Sequence, residues 1–152
     1  MEERIDSRNL EKENSAAVKL YLRQIKDAES AVVRLEDQLA TINADMVGVK
    51  GLTYDKEAVH SIPISDRLTE LMIKYEDTAE ELWVLRKELL ERRTTICREI
   101  EQLDDERQRQ VLYYFYVKHM SWDEVARTMG YTRRWVEHIH GHALLEFAKR
   151  VR

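Results

Sequence analysis

The sequence has few of the residues that interrupt helices or cross-link chains. Its 152 residues include four glycines, one proline and one cysteine. Most of the chain can therefore form long, unbroken helices. The single Cys97 excludes an internal disulfide, and no cysteine spacing suggests zinc. No apolar run approaches the roughly 20 residues of a membrane span, and the N-terminus has no apolar signal segment. We therefore expect a cytoplasmic protein that contacts no membrane.

The net charge of −4 is unfavourable for a nucleic-acid ligand, but the charge is unevenly divided. Residues 1–103 carry 16 Lys and Arg against 22 Asp and Glu, whereas residues 104–152 carry 9 against 7. Because phosphate binding requires cations, any DNA-binding function is expected in the C-terminal part. Because the excess of cations in residues 104–152 is small, we expect a monomer to bind DNA weakly.

A helix-turn-helix pattern occupies this basic end, in the segment WDEVARTMGYTRRWVEHIHG that starts at Trp122. Ala126 is small where two helices would cross closely, and Gly130 suits a turn that needs positive φ. Ser121 and Glu124 form a capping-box pattern, and Thr132 is placed to cap the next helix. The predicted buried positions of the pair are Val125, Met129, Val136 and Ile139.

The N-terminal half shows two heptad-like seams, from Val18 to Met46 and from Leu68 to Leu89. They predict two long helices that fold back as an antiparallel, coiled-coil-like hairpin over residues 1–93, joined by a loop at 47–64. Residues 1 to about 14 are almost wholly polar, so we expect fraying or a solvated first turn there. An isolated hairpin has little core, so oligomerisation is favoured over a passive spacer.

A domain boundary near Thr94 would leave residues 94–152 as a small helix-turn-helix domain. Its first helix would cover 96–103, and Asp104 would cap the next, with Val111, Leu112 and Phe115 inward. Trp135 has two interpretations, burial against this core or packing on the DNA backbone, and burial is favoured because large aromatics are usually mostly buried. The predicted fold is all-α.

The recognition helix is expected over 132–150, with its N-terminal turns in the major groove. The arginines could read guanine or hold phosphate, Glu137 could accept from cytosine, and His138 could do either. Lys118 and Trp122 are candidates for phosphate contacts, although Trp122 could equally pack in the domain. The outward residues of the helix, beginning at its cap, are Thr132, Arg133, Arg134, Glu137, His138 and Gly141.

Catalysis and metal binding find little support in the sequence. His138 and His142 share a helical face, but no cysteine completes a tetrahedral set, so we expect surface histidines at 138, 140 and 142 and no metal. Cys97 lies on an apolar helical face, without a base and an orienting partner. The protein is therefore predicted to be no enzyme and to use no cofactor.

The C-terminal segment resembles region 4 of bacterial sigma factors. The matching motifs stand here as Arg109 to Leu112, Ser121 to Ala126, Gly130, Thr132, and Ala143 to Leu144. The resemblance implies that Arg133, Arg134, Glu137 and His138 face DNA. Sigma factors often have an acidic residue where Arg134 stands and a basic one where Glu137 stands, so the same target sequence is not implied.

The whole chain resembles phage-encoded regulators of the ArpU and RinA type, which pair a helical N-terminal half with a central "Y-D-x-x-x-V" loop and a terminal "S-R-R-W-V" helix. The corresponding residues here are Tyr54, Asp55 and Val59, and Thr132 to Val136. The resemblance implies a double-stranded DNA-binding activator of phage or prophage late genes in a bacterial host cell. Two alternatives remain open, a small terminase-like packaging subunit and a sigma-like adaptor that contacts RNA polymerase.

Overall fold

The computed structural model describes residues 2–52 and 63–151, and every regular element within them is helical. This confirms the predicted all-α class. No helix in the described ranges is long and apolar enough to cross a membrane. The elements are α1 (Glu2–Leu22), α2 (Gln24–Leu52), α3 (Ile64–Glu101), α4 (Glu106–Leu112) with a π-helical turn (Tyr113–Val117), α5 (Trp122–Met129) and α6 (Arg133–Val151).

The chain divides into two compact units. The hairpin unit contains residues 28–88, and the helix-turn-helix unit contains residues 1–27 and 89–152. Each unit has its own apolar contacts, so each is described by itself.

In the hairpin unit, α2 and α3 run antiparallel. Arg86 Nη2 lies 2.5 Å from Glu36 Oε1, and Met46 of α2 lines a shallow groove with Leu68 of α3. The heptad seams produce this pairing, because their apolar residues fall on one face of each helix. The buried residues are Val32, Leu35, Ile42, Val49 and Leu82.

The main core of the helix-turn-helix unit lies where α1, the end of α3, α4 and the second half of α6 meet. Tyr21 of α1 packs on Phe147 of α6, with ring centroids 6.1 Å apart. Its hydroxyl donates to Glu99 Oε2 of α3 over 2.5 Å. The buried members of this core are Val18, Leu22, Ile25, Ile96, Ile100, Leu103, Leu112, Tyr116, Val117, Ala143, Leu144 and Phe147.

The π-helical turn after α4 changes which aromatic residues face inward. Lys118 N donates to Tyr113 O, five residues earlier, over 3.1 Å. This wide turn rotates the following side chains relative to an α-helix. Tyr116 is consequently buried, whereas Tyr114 and Phe115 are half-buried.

Several predicted boundaries differ from the structure. Helix α1 begins at Glu2, not near residue 14, and α2 continues to Leu52, so the first part of the predicted 47–64 loop is helical. Residues 53–62 lie outside the described part. Helix α3 passes through Thr94 without a break, and Asp105 caps α4 instead of Asp104. A β-branched pair costs only about 1 kcal/mol of helix propensity, which burial of Ile96 and Ile100 offsets.

The grouping of the N-terminus also differs from the predicted division at residue 93. Residues 1–27 pack in the same compact unit as residues 89–152. The reason is that Val18, Leu22 and Ile25 contribute their apolar side chains to the helix-turn-helix unit. Helix α1 is therefore part of that unit and not of the hairpin.

Candidate nucleic-acid interface

Two local signals position the helix-turn-helix, and both were predicted. The Ser121 hydroxyl accepts from Glu124 N over 3.2 Å, and Glu124 Oε2 accepts from Ser121 N over 2.8 Å. These contacts lower the pKa of the Glu124 carboxyl, chiefly through the backbone hydrogen bond from Ser121. Gly130 ends α5 at φ 74°, in the left-handed region that favours glycine.

A small second core holds α5 against α6. Val125, Ala126, Val136 and Ile139 are buried together, with Val111 of α4 beneath them. Met129 is half-buried against the same cluster. These are the positions predicted to be inward, so the helix pair has the expected phase, and the opposite side of α6 faces solvent.

The exposed side of α6 carries the predicted DNA-facing residues. Thr132 caps the helix, since its hydroxyl accepts from Trp135 N over 3.2 Å. The residues after it that are exposed on this side, here called the outer face, are Arg133, Arg134, Glu137, His138 and Gly141.

The two arginines of the outer face differ in their partners. Arg133 Nε donates to Glu137 Oε1 over 3.0 Å, and Arg133 Nη1 lies 3.7 Å from Asp123 Oδ1 of α5. The hydrogen bond to Glu137 raises the pKa of the Arg133 guanidinium. Arg134 has no ion-pair partner among the described residues. The Arg133 guanidinium is therefore already paired within the helix-turn-helix, whereas that of Arg134 points to solvent without an ion pair to a described residue.

Aromatic rings continue the exposed surface beside these charges. Trp135 is 42% exposed and stacks on His138, with ring centroids 5.2 Å apart. His138 in turn meets His142 edge to face at 4.6 Å. Burial of Trp135 was the favoured prediction and is wrong, because α6 turns this position away from the core that Val136 and Ile139 fill.

The two remaining predicted contact residues have different surroundings. Trp122 is half-buried, stacked on Phe115 at 4.1 Å and edge to face with His140 at 4.8 Å. These contacts agree with the interpretation of Trp122 as a residue that packs within the domain. Lys118 is exposed, with its ammonium 5.9 Å from the Tyr113 ring centre.

His140 was expected on the surface but is buried. Its Nε2 lies 2.7 Å from the Tyr116 hydroxyl, and its ring packs edge to face against the stacked pair of Phe115 and Trp122. Burial, reinforced by Lys19, lowers the pKa of His140 to about 4. Neutral imidazole therefore joins α6 to the π-helical turn. Tyr116 was missed as its partner because no residue pattern predicts the wide turn at Tyr113–Val117.

The described residues add no candidate to the metal-binding and catalytic hypotheses. Within residues 2–52 and 63–151, no three side chains of metal-binding type come together. Burial raises the pKa of the half-buried Cys97 thiol, so a smaller fraction of this thiol is present as the reactive thiolate.

The geometry defines an all-α protein whose C-terminal part is a helix-turn-helix with a capped and exposed second helix. Residues 100–146 match the family model described as Sigma-70, region 4. Comparison with curated proteins and with solved structures gave no match. The chain thus carries a sigma region 4-like helix-turn-helix, a domain of the DNA-binding regulatory kind and not a catalytic one.

Proposed function

We propose that the protein is a sequence-specific transcriptional regulator that inserts α6 into the major groove of double-stranded DNA. The observation that carries the proposal is the outer face of α6, where two arginines, a carboxylate and an imidazole stand exposed on the second helix of a helix-turn-helix. A recognition helix of this kind contacts base edges with its N-terminal residues.

Each side chain has a role that suits its chemistry. Arg134 donates hydrogen bonds from its two terminal nitrogens to guanine O6 and N7, because this bidentate pairing is the commonest specific contact. Glu137, once released by Arg133, accepts from a cytosine amino group, and Arg133 then turns to a phosphate or a second base. Thr132, Lys118 and His138 contact the backbone and fix the position of the helix on the duplex.

The resemblance to ArpU- and RinA-type regulators supports activation of phage or prophage late genes as the biological role. The match to sigma region 4 favours a second candidate, an adaptor that binds RNA polymerase without reading DNA. The two differ in what the outer face does, since only the regulator needs Arg134 for binding to a defined sequence.

We further propose that two or more copies act together through the hairpin unit. That unit leaves several large apolar side chains open to solvent, among them Trp83 at 65% exposure, Ile73 at 56% and Met72 at 50%. A second copy of the chain would cover them. Joining two weakly charged DNA-binding domains raises their combined affinity by effective concentration, without new contacts to DNA.

The test of the proposed function is an Arg134→Ala variant, measured by fluorescence anisotropy on a duplex that the wild type selects. We expect a loss of about 1 to 3 kcal/mol, which is roughly 5- to 150-fold in Kd, together with loss of discrimination at one base pair. Arg98→Ala, which removes an exposed arginine from α3, is the matched control. Unchanged affinity and unchanged base preference in Arg134→Ala would contradict the assignment and favour the adaptor.

A further inference from the structure

A groove of about 580 Å³ lies between α1 and the outer face of α6, within the helix-turn-helix unit. The α1 wall presents three cationic side chains, Arg8, Lys12 and Lys19, together with Glu11 and the small residues Ser15 and Ala16. The α6 wall consists of Glu137, His138, Gly141, His142 and Leu145. The groove therefore shares three of its residues with the face that is proposed to meet DNA.

The fixed charge of this groove is positive. Three cations stand against two carboxylates, Glu11 and Glu137. Glu137 already accepts from Arg133 over 3.0 Å, so its charge is partly compensated within α6. Glu11 is exposed on α1 between the cations. An anion entering here meets guanidinium and ammonium groups from one side and imidazole rings from the other.

We propose that α1 is a second DNA-binding element, in which Arg8, Lys12 and Lys19 bind the phosphates of one strand along this groove. The inference rests on the proposed function: when the N-terminal turns of α6 occupy the major groove, one sugar-phosphate strand must pass beside the outer face. The α1 wall lies there, held by the packing of Val18 and Tyr21 near the end of α6. Residues 104–152 carry only a small excess of cations, and the α1 side chains add to it.

The test is the double variant Arg8→Ala/Lys12→Ala, measured on a selected duplex and on an unrelated one across a range of salt concentrations. Phosphate contacts do not read sequence, so Kd should rise by the same factor on both duplexes. Losing two phosphate contacts should reduce the slope of log K against log salt by about 2, and weaken binding by up to roughly 30-fold at 0.15 M salt. Glu11→Gln, which removes the opposing charge, should tighten binding to both duplexes.

The matched control is Arg92→Ala/Arg98→Ala, which removes two exposed cations from α3 of the same unit and should leave both the slope and the affinity unchanged. If the wild type binds the selected duplex and Arg134→Ala weakens it, but the α1 variant keeps its slope and affinity, the inference about α1 is wrong and the proposed function stands. Tighter binding by the α1 variant would also overturn it, since α1 would then obstruct the duplex. If the wild type binds no duplex at all, both proposals fail.

Discussion

The buried imidazole of His140 should make the helix-turn-helix unit lose stability in mild acid. Its pKa is about 4 in the folded protein, against the ordinary 6.5. A histidine with a lowered folded-state pKa takes up its proton in the unfolded chain first. Its contribution to stability is therefore fully present above pH 6.5 and is lost as pH falls toward 4. Between pH 7 and pH 5 these two values give a loss of about 2 kcal/mol.

The assay is urea denaturation followed by far-ultraviolet circular dichroism at pH 7 and at pH 5. His140→Gln keeps a side chain that can bond the Tyr116 hydroxyl but has no proton to gain. We expect the variant to be less stable than the wild type at pH 7, because it replaces a buried ring that packs edge to face against the stacked Phe115 and Trp122. Its free energy of unfolding should fall by about 2 kcal/mol less than that of the wild type between the two pH values.

Carboxylates also titrate in this range, which is why the difference between the two proteins is the quantity to compare. Asp105 and Glu124, whose pKa values are lowered by their caps, contribute equally to both. His142→Gln, which removes an exposed imidazole from the same helix, is the control. Equal losses of stability in the wild type and His140→Gln would refute the argument that the buried ring stays neutral.

Two further predictions concern the turn and the hairpin. Gly130→Ala should lower the free energy of unfolding by about 1 to 2 kcal/mol in urea denaturation, because φ at Gly130 is 74°, a conformation that is strained for alanine. The added Cβ would meet no atom within 4 Å, so the backbone conformation alone causes this loss. An unchanged free energy would mean that the turn adopts another conformation. Trp83→Lys should reduce the sedimentation coefficient to that of a monomer if exposed Trp83 lies between copies. Glu81→Lys, which places a lysine at an exposed position on another side of α3, is the control. A wild type that is already monomeric would contradict the oligomer.

The helix-turn-helix could be predicted because its requirements are local. Ser121 and Glu124 cap each other three residues apart, and Gly130 follows α5 directly, so the sequence alone contains both partners. The phase of α6 then follows from Val136 and Ile139, and with it the exposure of Arg133 and Arg134. Short-range pairs of this kind leave little for tertiary structure to alter.

The wrong predictions concern positions whose surroundings depend on residues far away in the sequence. The polar residues before Val18 predict a frayed end, yet α1 is helical from Glu2, and its last turns are buried against α3 and α6. His140 was assigned the wrong surroundings because the wide turn at Tyr113–Val117 brings Tyr116 against α6. Trp135 was assigned the wrong surroundings because α6 turns this position away from the core that Val136 and Ile139 fill. Arg8 and Lys12 lie in the stretch that is predicted to be frayed or solvated, because nothing in the sequence places residue 8 near residue 138.

The most direct test of DNA reading is selection of bound duplexes from a random pool by the full chain, at near-physiological salt, followed by sequencing. We expect a defined motif, present twice at a spacing of about one helical turn, because two recognition helices from two copies would bind one face of the duplex. Recovery of duplexes with no shared sequence, bound only through salt-sensitive contacts, would contradict a sequence-reading regulator.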